Sequence, residues 1–469
     1  MTRLFGTDGI RGTTEAAASE SRQLVLTPEL ALRVGHAAGM VVGLHHRGSS
    51  LGKASVVGRD PRISGAMLQA ALTAGLVAQG MTVIDAGEIP TPGVAFLSRQ
   101  LGACTGVMIS ASHNPVTDNG IKFFGGDGYK FPDAWEQEIE SLVLASGREF
   151  DAVEARSLGR VCAGRGLGQA YVSYLLQSWL GARDLTGYSI LLECAHGATS
   201  RVAPEVFRRL GAEVTVLGGN PDGLNINTTY EYVEPRRFAQ RVLDAGADLG
   251  IAFDGDGDRV VLVDDRGGTV DGDTIIGVLA RHMQPLDRLP GDFVVTTTMS
   301  NYGLHESLQS VGIRVVETSV GDKHVMRRMR EDGGTLGGER SGHILLFDRD
   351  HTTGDGIYTA LAVLAAMVNQ NGAALSQLAA AVPHYPQFIE SVTVPPSKPR
   401  LDDIPAVQEV LDQLRHAVGS STDINIRYSG TEDKLRLSVR CRSDGEADQM
   451  QSAAREALRR IAEIIARVA

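Results

Sequence analysis

Residues 246–264 read GADLGIAFDGDGDRVVLVD, and this stretch carries the strongest single signal in the sequence. It contains an apolar segment, three aspartates separated by glycines, Arg259, and a second apolar segment that begins at Val260. Short apolar runs bounded by glycine and polar residues are typical of buried β-strands. The stretch therefore predicts two strands joined by a short loop that carries three carboxylates.

The same order of features occurs twice more along the chain. GACTG at 102–106 and GGTLG at 333–337 correspond to GADLG at 246–250, and each precedes a polar loop and an apolar strand. Upstream of each segment, a strand leads into a helix that stops at a glycine and is followed by another strand. The three stop residues are Gly80, Gly211 and Gly312. Three matches in one order predict an internal repeat, although the alternative is that all βα units look alike.

Strands that alternate with helices predict parallel or mostly parallel α/β layers. After Pro386 the pattern changes to a strand, a proline-rich turn, a helix, two strands and a terminal helix, which indicates a separate α+β domain. We therefore predict an α/β protein with three related α/β domains and a C-terminal α+β domain. The predicted domains are 1–166 with the Ser112 loop, 167–270 with the aspartate loop, 271–384 with the Glu339 loop, and 385–469.

The loop Asp254–Arg259 predicts a metal site. Its three carboxylates can converge on one hard cation that prefers oxygen ligands. An EF-hand does not fit, because the sixth loop position, which requires glycine, is Arg259. A solvated acidic turn is the other alternative, but clustered carboxylates at the end of a buried strand repel one another without a cation. Bound Mg²⁺ keeps positions open for phosphate oxygens, so the loop points to phosphoryl chemistry.

The segment SASHNP at 110–115 offers a nucleophile. Its Asn-Pro pair favours an extended residue and a turn, which places Ser112 and His113 on a loop after a strand. A serine hydroxyl needs a base or a metal to activate it. Taken alone, the segment is more typical of a turn than of a catalytic site. Lys122 follows, where it can neutralise phosphate or move a proton, although a surface lysine is the simpler interpretation.

Two further loops carry groups suited to a phosphorylated sugar. In GERSGH at 338–343, Glu339 and Ser341 can accept from and donate to vicinal hydroxyl groups. In RYSGTE at 427–432, backbone N–H groups and hydroxyls follow Arg427, whose guanidinium can bind phosphate through two hydrogen bonds. An ordinary β-turn flanked by arginines explains the second segment equally well when it stands alone. Combined with the metal loop, it predicts a phosphate clamp.

Taken together, six motifs closely resemble those of the α-D-phosphohexomutase family. They occur in the family's order along the whole chain: FGTDGIRG (5–12), SASHNP (110–115), DNGIKFF (118–124), DGDGDR (254–259), GERSGH (338–343) and RYSGTE (427–432). The opening motif, PDGLNIN (221–227), SVGDKH (319–324) and TTGDGI (352–357) are similar to the phosphoglucosamine mutase branch. That branch interconverts glucosamine 6-phosphate and glucosamine 1-phosphate on the route to peptidoglycan precursors. The resemblance implies four domains around a central active-site cleft.

The resemblance also implies a role for each candidate residue. Ser112 would carry the phosphoryl group as phosphoserine, and Mg²⁺ would bind this phosphate together with Asp254, Asp256 and Asp258. The family's groups that surround the transferred phosphate or move protons match Arg11, His113, Lys122 and Arg259. Its sugar-binding loop matches Glu339 and Ser341. Its clamp for the other phosphate matches Arg427, Ser429, Gly430, Thr431 and Arg436.

The implied reaction passes through a hexose 1,6-bisphosphate. Phosphoserine gives its phosphoryl group to the hexosamine phosphate, the bisphosphate turns around in the cleft, and its other phosphate returns to Ser112. A phosphomannomutase or phosphoglucomutase is the closest alternative, because these enzymes share the catalytic groups. A magnesium-dependent sugar-phosphate phosphatase is the alternative from another class, but such enzymes commonly bind two metals and the sequence has one complete acidic cluster.

Composition and charge restrict the partners. Of 469 residues, 43% are hydrophobic and 22% are charged, which is typical of globular proteins, and the net charge of −11 argues against a dedicated binder of nucleic acid or anionic membrane. No apolar run approaches the ~20 residues that span a bilayer, and the first residues lack a signal peptide's apolar segment. We expect a cytoplasmic protein, and a homodimer is expected from the family alone. Its four cysteines are predicted to be reduced and buried: Cys104, Cys162, Cys194 and Cys441.

Some positions depart from the family pattern. His196 stands where the family often has asparagine, and Asp433, close to Tyr428 and the clamp, replaces a common proline. The segment TTYEYVE at 228–234 differs from the expected Gly-Ser-Thr segment. None of these departures removes a catalytic group, but they leave the preference among glucosamine, glucose and mannose phosphates open.

Overall fold

The computed structural model describes residues 4–6, 8–15, 24–45, 53–145, 154–229, 232, 234–347, 351–419, 422–428, 433–441 and 447–468. Four β-sheets with their covering helices organise these residues. Three members of the predicted clamp, Ser429, Gly430 and Thr431, lie outside the described residues.

The first unit is built on a seven-stranded sheet of order β1-β2-β6-β5-β3-β4-β7. Its elements are β1 (Phe5–Gly6), β2 (Gly9–Thr13), α1 (Pro28–His45), β3 (Ala54–Arg59), α2 (Ile63–Ala78), β4 (Thr82–Glu88), α3 (Thr91–Gln100), β5 (Thr105–Ile109), β6 (Asp118–Gly125), α4 (Asp133–Leu144) and β7 (Val161–Ala163). The central strands β3 and β5 are buried along almost their whole length, since helices cover both faces of the sheet.

The second and third units have five and four strands, ordered β12-β11-β10-β8-β9 and β14-β13-β15-β16. The second contains α5 (Leu167–Gln177), β8 (Ser189–Glu193), α6 (Val202–Arg209), β9 (Glu213–Leu217), α7 (Pro235–Ala245), β10 (Leu249–Phe253), β11 (Val260–Val263) and β12 (Thr269–Val270). The third contains α8 (Gly272–Met283), β13 (Phe293–Thr297), α9 (Tyr302–Gln309), β14 (Arg314–Thr318), α10 (Asp322–Asp332), β15 (Leu336–Gly338), β16 (Ile344–Leu346), α11 (Gly356–Asn369) and α12 (Leu375–Ala379).

The topology confirms the predicted repeat. The strand orders β4-β3-β5-β6, β9-β8-β10-β11 and β14-β13-β15-β16 are the same pattern in three sheets. The glycines that stop the three equivalent helices all have positive φ: +76° at Gly80, +95° at Gly211 and +80° at Gly312. Because the loops β5–β6, β10–β11 and β15–β16 occupy equivalent positions, the three predicted functional loops are topological equivalents.

One strand in each repeat departs from the mostly parallel arrangement that the sequence predicts. The strand after each functional loop, β6, β11 or β16, runs antiparallel to the strand before it. A parallel connection requires a crossover of a dozen or more residues, whereas residues 254–259 suffice only for a reversal. The functional loops are therefore short turns at the carboxyl ends of parallel strands, where α/β sheets bind ligands.

The fourth unit is a three-stranded antiparallel sheet covered by helices. It contains β17 (Gln387–Thr393), α13 (Pro405–Val418), β18 (Thr422–Tyr428), β19 (Lys434–Cys441) and α14 (Ala447–Val468), in the sheet order β17-β19-β18. Its buried apolar residues form a cluster of their own, whereas one large cluster includes Val56, Leu192 and Val294 from the first three units. The fourth unit is thus packed as a separate body.

The cysteine prediction was correct at three positions and wrong at one. All four described cysteines are free thiols, and Cys104, Cys194 and Cys441 are buried. Cys162 is exposed, because β7 is an edge strand whose three residues all face solvent. Among the described residues, no helix combines the length and apolar content needed to cross a bilayer.

Candidate active site

Ser112 occupies the loop between β5 and β6 in a strained conformation. Its φ is +55°, a region that residues other than glycine rarely adopt and that clusters at functional sites. The buried hydroxyl donates to Oδ2 of Asp254 at 2.5 Å, and Oγ lies 3.4 Å from Nδ1 of His113. The structure therefore brings the predicted nucleophile of the first unit against the acidic loop of the second.

The acidic loop contains a buried cluster that can hold a metal ion. One carboxylate oxygen from each of Asp254, Asp256 and Asp258 lies within 4.8 Å of the others, the only such group in the part of the chain that the structure describes. Oδ1 of Asp256 and Oδ1 of Asp258 are buried without a hydrogen-bond partner. Unsatisfied buried carboxylate oxygens are costly, and a divalent cation with oxygen ligands would satisfy them. The donor set therefore fits Mg²⁺.

The pKa values within this loop diverge because of local charge. Burial and then the charges of Asp258 and Asp256 raise the pKa of Asp254 well above its usual 3.8. Burial would also raise the pKa of Asp258, but Lys122 and His343 outweigh it and hold this pKa well below its usual value. Repulsion is thus concentrated at Asp254, next to Ser112, which is where an added cation would relieve it.

Lys122 is not a surface residue. It is 2% exposed, and its Nζ lies 2.8 Å from Oδ2 of Asp256, 3.1 Å from Oδ2 of Asp258 and 3.0 Å from Oδ2 of Asp8. Burial alone would lower the pKa of Lys122, but the three carboxylates raise it well above its usual 10.5. The ammonium therefore remains charged beside the nucleophile loop, as charge neutralisation requires.

The other predicted groups of this cluster also converge on it. Nη1 of Arg259 lies 3.1 Å from Nδ1 of His113. The backbone N–H of Arg259 donates to Oδ1 of Asp254 at 3.2 Å. Arg11 donates to Oδ2 of Asp8 at 2.6 Å and faces the Ser112 loop. Burial, followed by the charges of Arg259 and Arg11, lowers the pKa of His113 to about 4. The imidazole is therefore neutral at pH 7.

The sugar-loop and clamp candidates lie near one another. Oε1 of Glu339 accepts a hydrogen bond from the Gly321 N–H at 3.0 Å. Burial and then Arg436 lower the pKa of Arg427, and the charge of Glu339 opposes this shift. Arg427 and Arg436 are register partners on β18 and β19. Glu339 therefore lies within electrostatic range of Arg427.

Ser341 is exposed in the same loop as Glu339. Its carbonyl accepts a hydrogen bond from the hydroxyl of Tyr232, which belongs to one of the segments that depart from the family pattern. The second unit thus supports the sugar loop of the third.

Sequence reasoning missed a chain of buried ionic groups behind the metal loop. Nζ of Lys130 contacts Oδ1 of Asp8 at 2.5 Å and also contacts Asp322. Nε2 of His343 lies 3.4 Å from Oδ2 of Asp322, and its Nδ1 lies 3.7 Å from Oδ1 of Asp258. The family-like motifs contain three of these residues and could have indicated them: Asp8, Asp322 and His343. Lys130 stands in none.

Comparison with known proteins identifies the family. Models described as phosphoglucomutase/phosphomannomutase match the chain four times: alpha/beta/alpha domain I at residues 2–149, domain II at 169–268, domain III at 271–385 and the C-terminal domain at 391–457. The chain belongs to this family. The resemblance, the fold class and the prediction of an isomerase are confirmed, since family members are mutases.

Curated relatives match this phosphohexomutase over nearly its whole length. A phosphoglucosamine mutase of Moorella thermoacetica is 45% identical over 439 residues, which is 94% of this chain and 95% of the relative. Another, from Geobacillus kaustophilus, is 41% identical and covers 100% of this chain and 99% of its own. The match at this level places the chain among the close relatives of that group.

Solved structures share the fold at lower identity. A phosphoglucomutase/phosphomannomutase family protein of Burkholderia thailandensis superposes with a TM-score of 0.78 at 22% identity and covers 98% of both chains. An N-acetylphosphoglucosamine mutase of Aspergillus fumigatus, solved with GlcNAc-6P and magnesium, has a TM-score of 0.66 at 17% identity and covers 98% of this chain and 96% of its own. These structures establish the phosphohexomutase fold.

Proposed function

We propose that this phosphohexomutase interconverts glucosamine 6-phosphate and glucosamine 1-phosphate through phosphoserine at Ser112 and a 1,6-bisphosphate intermediate. The observation that carries the proposal is the contact of the Ser112 hydroxyl with Asp254 inside a buried group of three aspartates. Full-length identity of 41–45% to enzymes named phosphoglucosamine mutase supports the amino sugar as the substrate.

Mg²⁺ is the cation that we assign to Asp254, Asp256 and Asp258 together with the phosphate on Ser112. The unpartnered carboxylate oxygens support this assignment, as does the Aspergillus mutase that was solved with magnesium and GlcNAc-6P. When bound, the ion neutralises charge on the phosphoryl oxygens. A related Aspergillus structure contains glucose 1,6-bisphosphate, which supports a hexose 1,6-bisphosphate as the intermediate and activator.

The residues around Ser112 supply positioning and charge. As the phosphoryl group moves, the P–O bond to Ser112 breaks and a P–O bond to the sugar hydroxyl oxygen forms. Arg11, Lys122 and Arg259 would neutralise the charge on this group, which otherwise raises the barrier. The sugar hydroxyl loses its proton as its oxygen bonds to phosphorus, and Ser112 Oγ takes up a proton as its own bond to phosphorus breaks. We assign this proton transfer to the neutral His113, whose Nδ1 lies 3.4 Å from Oγ.

The remaining candidates would hold the sugar and its second phosphate. Glu339 and Ser341 offer an acceptor and a donor for vicinal hydroxyl groups. We assign the clamp of the non-transferred phosphate to Arg427, Ser429, Gly430, Thr431 and Arg436. The clamp must accept either end of the bisphosphate, and the separate packing of the fourth unit supports this role.

Two alternatives differ in what they require. A phosphomannomutase or phosphoglucomutase would use the same phosphoryl cluster and differ at the sugar loop, so it remains the nearest competitor. A phosphatase with two metals would need a second acidic cluster, and the described residues contain one. The phosphatase is therefore the weaker candidate.

Three predictions remain proposals. We retain the domain limits 1–166, 167–270, 271–384 and 385–469, which follow the sheet boundaries closely. Cytoplasmic location and a homodimer are also retained from the sequence analysis. Limited proteolysis and light scattering of the full chain would test the limits and the dimer.

A coupled assay tests the proposed function. The enzyme is supplied with glucosamine 6-phosphate, Mg²⁺ and a trace of glucose 1,6-bisphosphate, with glucose 6-phosphate and mannose 6-phosphate in parallel. We expect the largest kcat/KM for glucosamine 6-phosphate and no net release of phosphate. A preference for glucose 6-phosphate or mannose 6-phosphate would contradict the assignment of the amino sugar as substrate. Phosphate release without isomerisation would contradict the mutase mechanism.

A further inference from the structure

A buried arginine holds the Ser112 loop from within the first unit. Arg62, directly before α2, is 2% exposed. Its two terminal nitrogens donate to four backbone carbonyls, three in this loop and one at the start of β6: Ser112 (2.9 Å), Asn114 (2.8 Å), Pro115 and Asp118 (3.0 Å). With Nε donating to Asp60, all five guanidinium donors are used. A fork of this kind cannot be replaced by the three donors of lysine.

The same arginine is linked to the backbone N–H of Ser112. Oδ2 of Asp60 accepts from Nε of Arg62 at 2.9 Å and from the Ser110 hydroxyl at 2.6 Å. The Ser110 hydroxyl oxygen accepts the Ser112 N–H at 2.9 Å. Both the N–H and the carbonyl of Ser112 are therefore held by one buried network.

A second side chain reaches the loop from the other unit. Nδ2 of Asn227, in the loop after β9, donates to the carbonyls of Ser112 at 2.8 Å and Asn114 at 3.0 Å. The backbone of the metal loop approaches the same carbonyl, because a Cβ added to Gly255 would lie 2.6 Å from the Ser112 oxygen. The Ser112 carbonyl is thus the point where the nucleophile loop, Asn227 and the metal loop meet.

Backbone strain is concentrated at this junction. Among the described residues, four of the eight non-glycine residues with positive φ lie here: Ser112, Ala195, His196 and Asn227. The Asn227 N–H donates to the Ala195 carbonyl at 2.8 Å, so the strained segments support one another. Such conformations persist only where the surroundings enforce them, and they are typical of sites that fix a reacting group.

We propose that Arg62 and Asn227 are positioning residues for phosphoryl transfer, which hold the Ser112 loop between two domains and thereby set the separation of its hydroxyl from the aspartates. The inference rests on the proposed function of Ser112. Arg62 orients the loop within its own unit. Asn227 ties it to the second unit, which also carries Asp254, so the nucleophile and the metal loop move as one body.

The substitution Asn227→Gly tests this role without adding backbone strain. Glycine adopts the φ of +59° freely, so the variant removes only the side-chain hydrogen bonds. Asn371→Gly is the matched control, because Asn371 has a φ of +61° but is exposed and far from the site in sequence. We expect Asn227→Gly to lower kcat about 10- to 100-fold, the cost of misplacing a reacting group. KM and the melting temperature should stay close to those of Asn371→Gly.

Arg62→Lys is the second variant. For every variant, kcat is divided by the fraction of Ser112 that is phosphorylated, which mass spectrometry measures. A kcat of Asn227→Gly equal to that of the control would overturn the inference. A loss of kcat that merely tracks a lower melting temperature would also overturn it, whatever Arg62→Lys does.

Ser112→Ala, measured in parallel, separates the two proposals. Activity in Ser112→Ala means that the proposed function has failed. An inactive Ser112→Ala beside a fully active Asn227→Gly means that the positioning inference alone has failed.

Discussion

Ser112 combines three features that rarely occur together in a serine: complete burial, a left-handed backbone and a hydroxyl that donates to a carboxylate. Most side-chain hydrogen bonds in proteins go to the backbone or to water, so a buried serine that donates to a carboxylate is the less common case. Here the hydroxyl lies beside a repulsive group of carboxylates. This arrangement is expensive for a structural serine and useful for one that receives a phosphoryl group and a cation.

We expect Ser112→Ala to abolish turnover while glucosamine 6-phosphate still binds. Alanine experiences the same backbone strain as serine, so the substitution removes the hydroxyl alone. Steady-state assays and calorimetric titration with the sugar phosphate measure the two effects. Ser141→Ala, an exposed serine on α4, is the control and should behave as wild type. Normal turnover in Ser112→Ala would refute the phosphoserine assignment.

At the residue scale, the sequence predicted groups that are close together along the chain, and it did not predict contacts between residues that only folding brings together. The carboxylate cluster could be predicted, because its three aspartates alternate with glycines in the sequence: Asp254, Asp256 and Asp258. Arg62 could not, because its four carbonyl partners lie 50 or more positions away and a strand-to-helix turn explains an arginine there. Contacts at such separation have no signature in a single sequence.

At the element scale, the strand–loop–strand repeat places chemistry at equivalent turns. The helix stops and the three loops were predictable, since glycine marks each stop and apolar runs mark each strand. The antiparallel return of β6, β11 and β16 was not predicted, because apolar runs give no strand direction. Loop length contains that information, since residues 254–259 are too few for a crossover.

The start of α11 couples the stability of the third unit to pH. Asp355 caps this helix through Oδ1, which accepts the Tyr358 N–H at 2.9 Å, and its Oδ2 accepts from the Tyr171 hydroxyl at 2.7 Å. Burial raises the pKa of Asp355 from 3.8 to about 6. Between these values the folded protein keeps a proton that the unfolded chain has lost. Stability therefore falls as pH rises through this window, and the penalty is complete above about pH 6.

We expect Asp355→Asn to remove this pH dependence. Between pH 5 and pH 7.5, the free energy of unfolding of the wild type should fall by about 1–2 kcal/mol relative to the variant. Thermal and denaturant unfolding at both pH values measure the difference. Asp287→Asn is the control, because Asp287 is exposed and the same substitution there should leave the pH profile unchanged. Identical profiles for wild type and Asp355→Asn would contradict the proposed cause.

At the scale of the whole molecule, one large apolar cluster joins the first three units and a smaller one forms the fourth. The fourth unit meets the third through an ionic junction around the buried Arg440 on β19. Nη1 of Arg440 donates to the Ser300 carbonyl at 2.8 Å and to Oε1 of Glu317 at 2.7 Å, and Nη2 lies 3.1 Å from Oδ2 of Asp423. A polar junction of this kind can separate at lower cost than an apolar core.

Charge holds this junction closed. Burial would raise the pKa of Glu317, but hydrogen bonds from His305 and Arg440 lower it to about 2. The carboxylate is therefore ionised and matched to the arginine. Arg440 shares β19 with Arg436, whose register partner is Arg427, so the same strand carries the junction and part of the phosphate clamp. Loosening the junction should displace the clamp while Ser112 and the aspartates stay in place.

This separation predicts a specific kinetic change for Arg440→Met. The variant removes the buried guanidinium that joins the Ser300 carbonyl and Glu317 of the third unit to β19, which favours separation of the fourth unit. We expect KM for glucosamine 6-phosphate to rise about tenfold, equivalent to about 1.4 kcal/mol of lost binding, with a smaller change in kcat. Arg455→Met is the matched control, because its ion pair with Glu390 is largely exposed and lies within the fourth unit. A drop in kcat at constant KM would show that Arg440 acts on the phosphoryl cluster and not on the clamp.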